Sequence, residues 1–305
     1  MSETNPSSSG TWLVVGASGI LGHGLCRYLS ARGADVAATV HEHPVGIPGV
    51  REVRCSLEED SSFRQVMTEQ RPNIVVYAAG LTDVDKCESN EPLADRLHAE
   101  IPAGMAAVLA AEGEGRFVYI SSDHLWDGTR GMMREDDPVS PINAYARSKA
   151  KGERLVADAS KTALILRTNF FGQGRPWRLS LSDWMLKQLS SDKPFNAFSD
   201  AYFTPIAVPI LFSLIENCLT QGLSGIFHAG GADRLSKYDF AMRLAEWGGY
   251  SQSLIRAGLV SDAGLVASRP ADMSLSTQKL STALGRSAPG LDDSLHAIFG
   301  PPLLR

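Results

Sequence analysis

No stretch of this sequence approaches the run of about 20 apolar residues that a membrane-spanning helix needs, so no span is expected. Met1 to Gly10 is rich in Ser and lacks the charged and apolar regions of a signal peptide. It is expected to be a flexible tail, and the chain is expected to be cytoplasmic. A basic excess is also missing: 29 Lys and Arg stand against 34 Asp and Glu, a net charge of −5 with no basic stripe, which argues against nucleic acid as a partner. Cysteine is scarce, and Cys26, Cys55, Cys87 and Cys218 have no metal-ligand spacing, so they are read as reduced thiols packed as small hydrophobes. His41 and His43 could pair on a metal, but no third ligand is suggested nearby, and no metal is expected. Repeats and low-complexity tracts are absent as well.

Glycine, by contrast, is concentrated where it can be used. The apolar run Trp12-Leu13-Val14-Val15 feeds into Gly16, Gly19 and Gly22, and an apolar-periodic segment with Ile20, Leu21, Leu25, Tyr28 and Leu29 follows. That pattern reads as strand, tight turn and helix. Such a turn lets a pyrophosphate reach backbone N–H groups at the positive end of a helix, because a side chain at Gly16 or Gly19 would hold it away. Gly22 would let the helix pack close on the strand. Gly16, Ser18, Gly19, Ile20, Leu21 and Gly22 are therefore candidate cofactor-binding residues.

Further along, Asp35–Val40, Val50–Cys55, Asn73–Ala78 and Arg116–Ile120 read as strands, with helices between them. Almost wholly apolar strands suit a parallel sheet covered on both faces, so a Rossmann-type doubly wound α/β fold is expected. At the end of the second strand an acidic residue would accept from an adenosine 2′-hydroxyl. The tip here is His41, with Glu42 the nearest carboxylate, and this favours NADP(H) over NAD(H). Ala78, Ala79, Gly80 and Thr82 after the fourth strand are small enough to admit a nucleotide, although close packing on a helix would use the same residue types.

Tyr145 and Lys149 are four residues apart and share a face if helical. An ammonium beside a phenol favours the phenolate and brings its pKa down from about 10, which makes the phenol a usable acid or base. With Ser122 at the end of the fifth strand, they form a candidate catalytic set.

Taken together, the motifs resemble the extended short-chain dehydrogenase/reductase superfamily, most closely the dTDP-4-dehydrorhamnose reductase family. The likeness runs through Gly16-x-x-Gly19-x-x-Gly22, Ala79 to Glu88, Ser121 to Gly128, Tyr145 to Lys149 with Gly152-Glu153, Leu166 to Gly172, Asp200 to Pro205, Gly225 to His228 and Arg269-Pro270. It implies hydride transfer from a reduced nicotinamide to a ketone: Ser122 bonds the carbonyl, Tyr145 protonates the alkoxide, and Lys149 holds the nicotinamide ribose. It also implies that Thr168 and Phe170 lie near the nicotinamide, and Ser56 and Leu57 near the adenine.

Three departures from the family pattern stand out. His124 and Trp126 replace the family's tyrosine and phenylalanine, and His98 stands where Asn is usual. Asp123-His124 replaces the Asp-Glu pair of related dehydratases, so water elimination is disfavoured. His124 has two readings, a second acid or base and a wall of the pocket. Asp123, His124 and Trp126 are substrate candidates, with Arg175, Arg178 and Arg269 for anion contacts. Trp184 is expected in the core of the smaller domain.

A dinucleotide-binding domain is expected at 11–168 with return elements at about 206–230, and a substrate-binding domain at 169–205 and 231–305. The function expected is NADPH-dependent reduction of a nucleotide-activated deoxysugar or similar ketone, in a homodimer. An NAD-dependent epimerase and a silent NADP-binding subunit are the alternatives.

Overall fold

The computed structural model describes residues 10–113 and 115–302, so most of the expected tail at 1–10 lies outside the described residues. The elements follow in order as β1 (Thr11–Val15), α1 (Ile20–Ala31), β2 (Asp35–Val40), β3 (Val50–Arg54), α2 (Asp60–Gln70), β4 (Ile74–Tyr77), α3 (Val84–Ser89), α4 (Glu91–Asp95), α5 (Ile101–Ala111), β5 (Arg116–Ile120), α6 (Ala144–Ala159) and β6 (Leu164–Arg167). Next come β7 (Phe170–Phe171), α7 (Leu181–Ser190), β8 (Phe195–Phe198), β9 (Tyr202–Phe203), β10 (Ile206–Ala207), α8 (Val208–Thr220), β11 (Gly225–His228), β12 (Leu235–Ser236), α9 (Lys237–Trp247), β13 (Ile255–Gly258), α10 (Gln278–Leu284) and α11 (Leu291–Phe299). They fall into two compact units, one of 1–121, 144–166 and 212–227, the other of 122–143, 167–211 and 228–305.

The first unit is built on a seven-stranded sheet ordered β11-β6-β5-β4-β1-β2-β3, with parallel pairing from β6 through to β3. Five of these strands, counting β1, are evident from the sequence, and β11 falls in the return elements expected at about 206–230. β6, which the sequence does not announce, lies between β11 and β5. Every residue of β4 is buried, as is all of β1 after Thr11 and all of β5 after Arg116, which is why these strands read as continuous apolar runs. Register then fixes what lies beside the glycine turn. Val15 pairs with Tyr77, so the chain leaves β1 and β4 side by side, and Ala78 N–H bonds the Val15 carbonyl at 2.9 Å.

The helical stretch expected between the fourth and fifth strands is broken. Residues Arg96–Glu100 form a wide π-helical turn between α4 and α5. Such a turn leaves backbone groups that must find other partners. Two fully buried tyrosines supply them: Tyr77 donates to the Leu97 carbonyl at 2.7 Å, and Tyr119 to the His98 carbonyl at 2.6 Å. Their rings stack at 6.2 Å within a core that includes Leu13, Met105, Phe117 and Ile165.

α6 passes against the wide turn at Gly152, where a methyl group would overlap both the His98 carbonyl oxygen and the Tyr119 hydroxyl.

In the second unit, Phe171, Phe203 and Phe240 make edge contacts around a core that also holds Met185, Leu189 and Leu244. Its short ladders are β8 with β13, β9 with β12 and β7 with β10. Capping boxes start α7 at Ser180 with Asp183 and α9 at Ser236 with Asp239. Trp184, expected in this core, is 38% exposed: it lies on α7 with one edge against Phe195, at 5.1 Å between ring centres.

Because the neighbours of Gly152 are a carbonyl and a hydroxyl held by hydrogen bonds, they have little room to give. Gly152→Ala is expected to lower unfolding stability by about 1–3 kcal/mol, the usual cost of overpacking, measured by urea denaturation.

Candidate active site

The glycine turn is a cradle shaped by sterics. Gly16 has φ +85°, and a Cβ there would lie 2.7 Å from Ala79 Cα, which only glycine avoids on both counts. Its N–H donates to Thr39 Oγ1 at 3.0 Å. Ser18 Oγ donates to the His43 carbonyl at 2.6 Å, tying the turn to the segment after β2. α1 then begins at Gly19 with no side-chain cap and no acidic residue in its first turn, so its positive end meets no side-chain anion of its own. Leu21 is buried, so its candidate role falls to its backbone, as it does for Ile20 and Gly22.

His41 and Glu42 are exposed directly after β2. Ser56 N–H bonds Ser62 Oγ at 3.0 Å and the Leu57 carbonyl accepts from Arg96 Nε at 3.1 Å, which anchors the segment after β3. Among the described residues no group of His, Cys, Asp and Glu could hold a metal.

Still in the first unit, α6 and the wide turn bring a cluster together. Tyr145, Ser148, Lys149 and Gly152 occupy one face of α6 at spacings of three and four. His98 Nδ1 lies 2.8 Å from Ser148 Oγ, and the Tyr145 and His98 rings meet edge to face at 5.4 Å. Lys149 is buried; its Nζ donates to the Ile120 carbonyl at 3.0 Å and sits over the Tyr119 ring at 5.0 Å. Burial lowers the Lys149 pKa to about 8, with Glu153 and Cys87 acting the other way. Gly80 backs onto this cluster, since a Cβ there would be 2.9 Å from His98 Nε2 and 3.8 Å from Lys149 Nζ. Ala78 and Ala79 are half-buried, whereas Thr82 is exposed. Ser148 was not singled out from the sequence, although the spacing of three from Tyr145 was there to be used.

In the second unit, Ser122 Oγ donates to Asp123 Oδ1 at 3.3 Å and accepts from His124 N–H at 3.2 Å. The buried Asp123 also accepts from Asn169 Nδ2 at 2.6 Å, and its Oδ1 lies 4.0 Å from His124 Nε2. The His124 pKa is lowered, first by burial, with Asp123 opposing and the cations Lys237 and Arg269 adding to the fall. Lys237, placed over the Phe203 ring, is brought down to about 8 by burial, and Asp123 opposes the shift. Asn169 and Lys237 are partners of Asp123 that no sequence spacing announces.

Trp126 is 2% exposed, edge-on to His228 and under the Arg167 guanidinium at 5.0 Å. Arg175 and Arg178 exchange backbone hydrogen bonds across a tight turn, with Arg175 over Trp177. Arg269 Nη1 donates to the Ala267 carbonyl at 2.6 Å. Thr168 Oγ1 is buried without a hydrogen-bond partner, and Phe170 opens β7 half-buried.

The first unit thus holds a strand–glycine-turn–helix cradle and, on α6, a buried lysine four residues after Tyr145. The family described as the RmlD substrate binding domain matches residues 11–300. The chain belongs to this family. It is 31% identical over 290 residues to a probable low-salt glycan biosynthesis reductase, Agl14, of Haloferax volcanii, covering 93% of this chain and 96% of that protein. It is 33% identical over 235 residues to a probable dTDP-4,6-dihydroxy-2-methyloxan-3-one 4-ketoreductase of Streptomyces antibioticus, covering 76% and 75%. Among solved structures, a hypothetical dTDP-4-dehydrorhamnose reductase from Sulfolobus tokodaii superposes with a TM-score of 0.81 at 29% identity, over 93% of this chain and 98% of that one.

The buried imidazole of His98 gives a measurable signature. Burial, reinforced by the nearby Lys149 charge, depresses its pKa to about 2, so it stays neutral while the chain is folded. The unfolded chain binds the extra proton below about pH 6.5, so the stability this contributes above that pH is lost as pH falls. His98→Asn is expected to flatten the slope of unfolding free energy against pH, between pH 6 and 5, by about 1 kcal/mol per unit. Denaturant titrations at several pH values check this.

Proposed function

We propose that the chain is an NADPH-dependent ketoreductase acting on a nucleotide-activated deoxysugar or a similarly polar ketone. The observation that carries this reading is Lys149, buried one turn along α6 from Tyr145 with its ammonium fixed by the Ile120 carbonyl and the Tyr119 ring. A cation so placed favours the phenolate and makes Tyr145 a proton donor that can be recharged at neutral pH. The glycine cradle and the uncapped start of α1 fit the pyrophosphate of a nicotinamide dinucleotide. When bound, that cofactor supplies the hydride.

The chain's own residues do the rest. Ser122 hydrogen-bonds the ketone oxygen, Tyr145 delivers a proton to the oxygen as it becomes an alkoxide, and Lys149 holds the ribose hydroxyls. Asp123, held by Asn169, orients the Ser122 hydroxyl. His124, at the position of the dehydratase glutamate, leaves the chain without that carboxylate, in keeping with reduction over elimination. The exposed His41 after β2, where a carboxylate would select the 2′-hydroxyl, supports NADPH over NADH. The names of the two curated relatives, a glycan biosynthesis reductase and a deoxysugar 4-ketoreductase, support the substrate class.

Two outcomes test the reading. Tyr145→Phe is expected to lower kcat on dTDP-4-keto-sugars by about 10²–10⁴-fold, with the NADPH Kd changed little, followed at 340 nm and by calorimetry. NADPH is expected to bind more tightly than NADH, and His41→Asp to narrow or reverse the ratio. Equal rates in Tyr145→Phe would overturn the catalytic assignment, and tighter NADH binding by the unaltered protein would overturn the cofactor preference.

A further inference from the structure

We propose that Glu153 is a positioning residue for Lys149: its buried carboxylate, fixed by Ser121, is the counter-charge that keeps the Lys149 ammonium protonated and so sets the alkaline limit of the reaction. The proposal rests on the reductase reading above for its link to activity, though not for its link to Lys149.

The geometry is contained in one helix and the end of one strand. Glu153 follows Lys149 by four residues on α6, the spacing at which side chains of opposite charge face one another. Both are buried, at 4% and 5% exposure, where an isolated carboxylate or ammonium is costly. Ser121, the residue after β5, is held by its N–H on the Leu166 carbonyl at 2.8 Å, and its hydroxyl donates to Glu153 Oε1 at 2.5 Å. That bond locks the carboxylate in place. Lys149 is locked in turn by the Ile120 carbonyl, the backbone group preceding Ser121. Acid and ammonium thus hang from adjacent residues at the same strand end.

The titratable groups around the pair leave Glu153 this role. Facing Lys149 are Cys87, Tyr119 and His98, besides Tyr145 on its own helix. His98 is kept neutral by its burial and by Lys149 itself. Burial and the charge of Glu153 push the Tyr119 phenol well above its ordinary range, so it stays protonated. Cys87 is a buried thiol whose hydrogen goes to the Leu81 carbonyl. Glu153 is the largest influence opposing the burial of Lys149, and without it the ammonium would lose its proton at lower pH.

The test is Glu153→Gln, which keeps the shape and the acceptor for Ser121 while removing the charge. The Lys149 Cε resonance, assigned by its loss in Lys149→Met, is titrated by NMR. The alkaline limb of kcat/KM with NADPH is measured in parallel. Expected are a midpoint and a limb that both move down by about one pH unit or more, with rates near those of the unaltered protein at the acid end. Glu153→Asp, which keeps the charge, should abolish most of that downward shift, and it carries the test if Glu153→Gln does not fold. There the prediction is a midpoint close to the unaltered one, and a midpoint a unit lower would overturn the proposal. An unmoved Lys149 midpoint in folded Glu153→Gln would overturn it too, reducing Glu153 to packing. A midpoint that moves while the unaltered protein shows no turnover would instead fault the reductase reading and leave the charge pairing standing.

Discussion

The first unit depends on one close approach. α6 can lie against the wide turn at Arg96–Glu100 only because Gly152 has no side chain, and from that contact the rest of the cluster follows. The turn exposes two carbonyls that Tyr77 and Tyr119 satisfy from beneath, so the sheet, the turn and the helix are joined by hydrogen bonds as well as by apolar packing. One helical turn before Gly152, Ser148 meets His98, and its neighbour Lys149 reaches over the Tyr119 ring to the end of β5. Tyr119, which satisfies a carbonyl of the wide turn through its hydroxyl, therefore carries a cation on its ring face.

Electrostatics in this region follow from burial more than from pairing. His98 and Lys149 are both pushed toward their neutral forms, and the two cations in prospect are adjacent. Burial keeps His98 neutral, with the Lys149 charge adding to the effect, and the lysine is the one with a carboxylate on the same helix. In the second unit Asp123 has the converse position: a buried anion that accepts from Asn169 and Ser122 and opposes the loss of charge at His124 and Lys237.

Most of the first unit was legible from the sequence because its signals are local. β2 and β5 end where the composition changes, and the glycine turn announces itself by its place between the first strand and the first helix. The wide turn was invisible, since Arg96–Glu100 continues an apolar-periodic stretch and its widening is set by tyrosines about 20 residues away on either side. β8 and β13 were missed for a related reason: Phe195–Phe198 and Ile255–Gly258 are too short to show a period, and they become strands by pairing with each other across some 60 residues. At the site, Tyr145 and Lys149 could be paired by counting, whereas the partnership of Asp123 with Asn169 and Lys237 is made only by the fold.

The four cysteines, expected as reduced thiols packed as small hydrophobes, all lie in the first unit, none in a disulfide and all buried. Burial lifts the Cys26 thiol to about 12 and raises that of Cys55, so neither offers a thiolate while the unit is closed. Alkylation must then wait for the unit to open, and its rate becomes a clock for that opening. The second unit holds no thiol at all. A simple labelling time course would therefore report on the opening of the glycine turn's own unit, where all four thiols lie.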